Sequence, residues 1–240
     1  MRKSMNNWTV ISQPIKNENK GLITYLNYLV SSDHKNHRNK TRIVPIHNSV
    51  KKLINYNFEQ ITDRNLARKK AKKGGRNISS YCQSFVFSLP PDIQLNDQQW
   101  KNIAMAVFCD LADHLGVSKR VLANNSFINL HDQDNQHINL VVSKVINGVV
   151  CRDLQRKAII AFLKQSFNAA VLKLVNIDNR DYQPQTSRAK RFNKHYFEEN
   201  KVIINALHSN QKVNFEFYEC NNSDQPIKQK AKPKRTRRFE

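Results

Sequence analysis

Apolar and polar residues fall into a few periodic windows, and each window predicts an element. Trp8, Val10 and Ile11 predict a short strand over residues 7–14, closed by Pro14. Over residues 21–30, Leu22, Leu26 and Leu29 recur at spacings of four and three, with Tyr25 and Tyr28 on the next stripe, which predicts a helix. Residues 31–51, rich in His, Asn, Lys and Arg, read as a solvated loop. Residues 67–76, basic and ending in Gly74 and Gly75, read as a mobile segment. A strand is predicted over residues 80–89 from Cys82, Phe85, Val86, Phe87 and Leu89, stopped by Pro90 and Pro91.

The clearest helix begins at a cap on Asn96 or Asp97. It carries Trp100, Ile103, Ala104, Val107, Phe108, Leu111 and Leu115 down one face and ends at Gly116. Two alternating runs, residues 126–131 and 137–143, flank the polar loop 132–136 and predict a hairpin. A second long helix is predicted over 153–174 with Leu154, Ile160, Leu163, Phe167, Ala170 and Leu174 inward. Beyond a polar stretch, residues 194–209 read as a helix and 212–218 as a strand. The pattern predicts an α+β fold, a central antiparallel sheet of about five strands with helices mainly on one face. The predicted domain runs over 1–220, and 221–240 is a basic, disordered tail.

Charge changes the picture. The chain carries 40 Lys and Arg against 19 Asp and Glu, a net +21 over 240 residues, so an anionic partner is expected, with nucleic acid first. A hydrophobic content of 39% supports a real core and excludes disorder throughout. Cys82, Cys109, Cys151 and Cys220 form no CxxC pair, so neither a cysteine zinc site nor a disulfide framework is expected. No apolar run reaches the roughly 20 residues of a membrane span, and no signal peptide is read at the start. A cytoplasmic location without membrane insertion is the expectation.

The candidate chemistry lies in residues 130–142, LHDQDNQHINLVV. Side chains at i and i+2 of a strand share a face, so His137 and Asn139 project together while Ile138 points into the core. If 132–136 is the connecting loop, His131 sits across from His137. Two imidazoles and a carboxamide on one sheet face suit a divalent metal with room for a phosphate oxygen. Asp134 is placed to orient a ligand histidine or to hold the turn. His34, His37, His47, His114, His195 and His208 read as surface residues.

The segment HDQDNQHINLVVS resembles the third motif of the conjugative relaxases, the plasmid mobilisation members of the HUH endonuclease superfamily. His131, Asp134, Asn135, His137 and Ile138 match that motif; Asn139 stands where the third ligand is usually histidine. Leu22-Ile23-Thr24-Tyr25-Leu26 resembles the early helix that carries the nucleophilic tyrosine. Phe85-Val86-Phe87-Ser88-Leu89-Pro90 resembles the second motif, and Asn96-Asp97-Gln98-Gln99-Trp100 the helix opening after it. The resemblance covers roughly residues 15–175.

The resemblance implies site- and strand-specific DNA nicking and joining at a plasmid transfer origin, through a 5′-phosphotyrosine link. Tyr25 is the implied nucleophile, with Tyr28 as alternate. His131, His137 and Asn139 are the implied metal ligands, for Mg or Mn, and Ser88 is an implied DNA contact. Arg64, Arg68, Lys69, Lys70, Lys72, Lys73 and Arg76 form one basic run for DNA phosphates. Lys228, Lys230, Lys232, Lys234, Arg235, Arg237 and Arg238 form another. The partner is single-stranded or supercoiled origin DNA, with an accessory mobilisation protein and a coupling protein as further candidates. Two alternatives stay open at this point. A rolling-circle replication initiator or transposase of the same superfamily would use a later tyrosine, Tyr182 or Tyr196. A non-catalytic basic DNA-binding protein would use the histidines structurally.

Overall fold

Two prolines mark the borders of the sheet. The computed structural model describes residues 8–72 and 78–182 and builds a five-stranded antiparallel sheet in the order β1-β3-β5-β4-β2. Strand β1 (Thr9–Lys16) contains Pro14 and β2 (Arg42–His47) contains Pro45, and both are edge strands. An edge strand tolerates a residue without an N–H, which is why β1 runs past Pro14 instead of closing there. Inside lie β3 (Ser80–Ser88), β5 (His137–Ser143) and β4 (Ser126–Asp132); β4 and β5 form the predicted hairpin. A two-stranded ribbon follows, β6 (Val145–Ile146) with β7 (Val149–Val150).

Alternation along the inner strands splits the core in two. Phe85, Phe87, Ile128, Leu130, Ile138, Leu140 and Val142 face α3 (Asp97–His114) and α5 (Lys157–Val175) in the main hydrophobic core. Asn96 closes α3 with the reciprocal side-chain bonds of a capping box to Gln99. Helix α5 is long and apolar enough to span a membrane by length and composition, yet Ile159, Leu163, Phe167 and Val171 are buried in this core. Leu174, expected inward, is 40% exposed, because Val171 and Val175 take the inward stripe at the end of α5. A 3₁₀ turn over Arg152–Gln155 precedes α5, so the helix starts later than the periodicity predicts.

The larger core therefore lies on one face, as expected, while two further helices lie on the other. Helix α1 (Glu18–Val30) packs Leu22, Leu26 and Leu29, and α2 (Val50–Lys70) packs Leu53, with Cys82, Phe127 and Val141 of the sheet. The predicted loop over 31–51 thus contains strand β2 and the start of α2. The predicted mobile segment over 67–76 begins as the last turn of α2. A short helix, α4 (Lys119–Asn124), leads into β4.

The described residues belong to one compact unit, Met1–Ser187, the other being Arg188–Glu240. The predicted elements at 194–209 and 212–218, the boundary at 220, Tyr196, His195 and His208 lie outside the described residues, as do Cys220, Lys73, Arg76 and the tail cations.

Candidate functional site

The hairpin delivers its histidines as a directly opposed pair. His131 of β4 pairs with His137 of β5, and their ring centroids are 5.1 Å apart. Both share a face with Asn139 and Asn129, which form the next cross-strand pair on that side. This is the face that carries α1, since Phe127 and Val141, in step with these residues along β4 and β5, pack on Leu22 and Leu26. Ser88 lies across from His137 on the other flank, in the β3–β5 register.

Each imidazole is oriented by a backbone carbonyl. His131 Nε2 donates to the Leu29 carbonyl at 2.9 Å, and His137 Nδ1 donates to the Asn135 carbonyl at 3.0 Å. The other nitrogen of each ring is left with its lone pair, the state a metal ligand needs. Burial pushes the His131 ring down to about 4, reinforced by the neighbouring His137 and His37 and opposed by the bond to Leu29. Burial lowers His137 as well, so both rings are neutral at pH 7. Asp134 is exposed and pairs with no histidine among the described residues; its carbonyl accepts from Gln94 Nε2 at 3.1 Å. Its role here is in the turn.

The amides complete a polar floor. Asn139 is 3% exposed and its Nδ2 has no partner, while Asn129 Oδ1, opposite, is likewise buried and unpaired among the described residues. Unpaired buried amides mark a place where an ion, a water or a ligand oxygen is accommodated. Among the described residues, no three His, Cys, Asp or Glu side chains gather as a metal site. A metal here would therefore rest on two imidazoles and the Asn139 carboxamide, with positions open to solvent or phosphate. The donor set fits a divalent ion of that kind.

A third imidazole, read from the sequence as a surface residue, belongs to this cluster. His37 is 2% exposed and its ring centroid lies 4.7 Å from that of His131. Its Nδ1 donates to the Ser31 carbonyl at 2.7 Å, and its Nε2 is buried without a partner among the described residues. The signal was present in the spacing: His34 and His37 follow Tyr28 closely, and both rings pack on it, at 4.8 and 4.6 Å. His34 is half-buried and so is His47, whose Nε2 reaches the Ala123 carbonyl at 3.0 Å; His114 is exposed and stacks on Phe162 at 4.1 Å.

The two tyrosines of α1 are placed differently. The Tyr25 hydroxyl bonds to Ser84 Oγ at 2.7 Å, and burial raises the phenol above its ordinary value, opposed by the bonds to Ser84 and Gln13. Ser84 is four residues along β3 from Ser88, which pairs with His137, so the Tyr25 hydroxyl is anchored about 13 Å along the strand from the imidazoles. Tyr28 connects the two regions, with its ring 6.3 Å from Tyr25 and 4.6 Å from His37. The structure thus brings His131, His137 and Asn139 to one face and leaves the Tyr25 hydroxyl at the other end of that face. Tyr182 donates to Asp92 at 2.5 Å, and desolvation, with that carboxylate, pushes it up to about 12.

Arg68, Lys69 and Lys70 occupy the last turn of α2, with Lys72 just beyond. Cations in that position are favoured by the helix dipole, and the lysines stand in solvent.

No family model and no curated protein matches the chain. Among solved structures, the chain is similar to the MobM relaxase domain (MOBV; Mob_Pre) bound to plasmid pMV158 oriT DNA, in a Mn-bound crystal structure at pH 6.8. The identity is 12%, the match covers 81% of this chain and 98% of that one, and the TM-score is 0.51. The fold is that of a relaxase domain. The same relaxase domain bound to 26-nucleotide oriT DNA matches at 14% identity over 80% of this chain and 99% of that one, with a TM-score of 0.49.

Proposed function

We propose that the chain is a metal-assisted relaxase, nicking and rejoining one DNA strand at a plasmid transfer origin. The observation that carries this reading is the opposed pair His131 and His137, neutral, carbonyl-oriented and 5.1 Å apart, on the face that α1 covers with its tyrosines. His131, His137 and Asn139 would hold Mg or Mn, which supplies charge neutralisation at the scissile phosphate. Ser88, beside His137, is in position to touch the DNA backbone. Arg68, Lys69, Lys70 and Lys72 at the end of α2 neutralise phosphates, and the +21 excess extends that attraction over the chain. Lys73, Arg76 and the cations Lys232, Lys234, Arg235, Arg237 and Arg238 join them in this reading.

The nucleophile belongs to α1. The motif points to Tyr25, while the ring contacts favour Tyr28, which lies against His37 and through it against His131. For Tyr25 to approach the imidazoles, its bond to Ser84 would have to be given up. Tyr182, engaged with Asp92 and strongly protonated, is the weaker candidate for the initiator or transposase reading. The enzyme would act in the bacterial cytoplasm, with an accessory mobilisation protein and a coupling protein supplying origin loading and transfer.

The test is direct. Purified protein, Mn²⁺ and supercoiled plasmids carrying candidate origins should give open-circular product and a covalent DNA adduct. Tyr25→Phe and Tyr28→Phe, assayed separately, should leave one variant without adduct. An adduct that survives in both removes α1 as the source. No nicking across several origins supports a DNA binder without catalysis, the reading in which the histidines are structural.

A further inference from the structure

A buried lysine lies at the opposite end of the strands from the histidines. Lys144, just after β5, is 1% exposed, and its Nζ donates to Ser80 Oγ at 2.7 Å. Ser80 in turn donates to the Cys82 carbonyl at 3.3 Å. Among the described residues no carboxylate forms an ion pair with Lys144. Cys82, the acid nearest in the core, cannot compensate it, because burial pushes that thiol far up and keeps it protonated. An ammonium with one acceptor for its three donors and no counter-charge among the described residues is costly to bury.

Lys144 is among the residues that line a cavity of about 570 Å³. Lys16, Asn17, Glu18, Ser80 and Gln155 are among its walls. That volume falls within the range of small-ligand sites, roughly 300–1,000 Å³. The cavity also takes in the start of α1. Asn17 caps that helix in a left-handed conformation, φ 64°, and its side chain makes no capping bond; the Glu18 N–H donates to the Ser79 carbonyl at 3.3 Å and the Gly21 N–H to the Asn17 carbonyl at 3.0 Å. The turn is tight: a Cβ on Gly21 would lie 1.8 Å from the Lys16 carbonyl oxygen. Glu18, the one acid on the wall, is engaged by the Tyr81 hydroxyl.

We propose that this cavity is a phosphate-binding site, with Lys144 and Lys16 as its cations and with Ser80 Oγ, whose proton goes to the Cys82 carbonyl, holding the Lys144 ammonium in place. It is separate from the imidazole site. Ser80 stands eight residues along β3 from Ser88, about 26 Å. Its ligand is a phosphate group, borne by inorganic phosphate, by a nucleotide, or by the DNA backbone. The proposal does not depend on the nicking reading.

Titration calorimetry with inorganic phosphate, thymidine 5′-monophosphate and an oligothymidylate distinguishes the three sources. At least one should bind saturably at one site per chain. Lys144→Met should weaken that binding about tenfold or more, the loss of a charge-assisted bond to phosphate. Gln155→Glu, on an exposed wall residue, leaves the core intact and sets a carboxylate at the cavity, so it should weaken binding as well. Lys119→Met removes the same net charge from an exposed position on α4 and should leave binding unchanged. Equal loss in Lys119→Met, or no loss in Lys144→Met and Gln155→Glu, overturns the proposal. Binding of the oligothymidylate alone assigns the site to the DNA backbone. His137→Ala should retain phosphate binding while losing Mn²⁺, so failure here and failure of the nicking reading are separately visible.

Discussion

Gln136 holds the hairpin to α3 through Trp100: its Oε1 accepts the indole N–H at 2.8 Å and the Leu95 backbone N–H at 2.9 Å. Its Nε2 donates to the Leu95 carbonyl at 3.1 Å and to Asp132 Oδ1 at 2.7 Å. One buried amide therefore ties the loop before His137 to the sheet's principal helix and fixes where β5 starts. Arg42 adds an outer clamp, bridging Asp97 at 2.6 Å and Asp132 at 2.8 Å.

Gln136→Ala should destabilise the protein by about 3 kcal/mol, because it strands two buried donors at once. Urea unfolding measures it. Arg42→Ala, on an exposed pair network, should lower the urea midpoint far less than Gln136→Ala does. Equal costs would mean that the loop is not held from within.

His137→Ala and His131→Ala should each weaken Mn²⁺ binding by about 100-fold, with nicking lost in parallel. Asn139→His should tighten Mn²⁺, since an imidazole then replaces an amide at the third position. Calorimetry on the DNA-free protein reads both. Unchanged affinity in Asn139→His would place that side chain away from the ion.

The metal-free protein should lose stability as the pH falls from about 6.5 to about 4. The His131 ring is held down to about 4 in the folded chain, while the unfolded chain takes up the proton at its ordinary value near 6.5. The unfolded state thus binds more protons in that window, so acidification favours it, and below about 4 the contribution is spent. Urea midpoints across this range measure the effect. His131→Asn should flatten the curve there.

Gly21→Ala should cost about 3 kcal/mol although the residue lies in a helix, where alanine is ordinarily the better choice. The added methyl would fall on the Lys16 carbonyl, so β1 and α1 must separate. Thermal unfolding should show a lower midpoint than for Lys20→Ala, one residue away and exposed.

Long, periodic elements were legible before any coordinates. The stripe from Trp100 to Leu111 predicts α3, and the alternation in β4 and β5 predicts both the hairpin and the opposed histidines. Helix α2 was not legible, because its buried residues are Leu53, Asn57 and Ile61 alone, a stripe one residue wide. Asn57 is hidden there because its Nδ2 donates to Ser143 Oγ at 2.7 Å, a partner far away in sequence. His37 escaped for the same reason: only the packed Tyr28 and His131 rings make it an interior residue. Tyr25 was readable as a helix residue, but its bond to Ser84 depends on which strand passes beneath α1.

Pro14 and Pro45 have a consequence for how copies of the chain meet. A foreign strand annealing to either margin needs an unbroken row of donors, and each margin has one missing. Copies of the chain at high concentration are thereby kept from zipping into a fibre through the margins of their sheets.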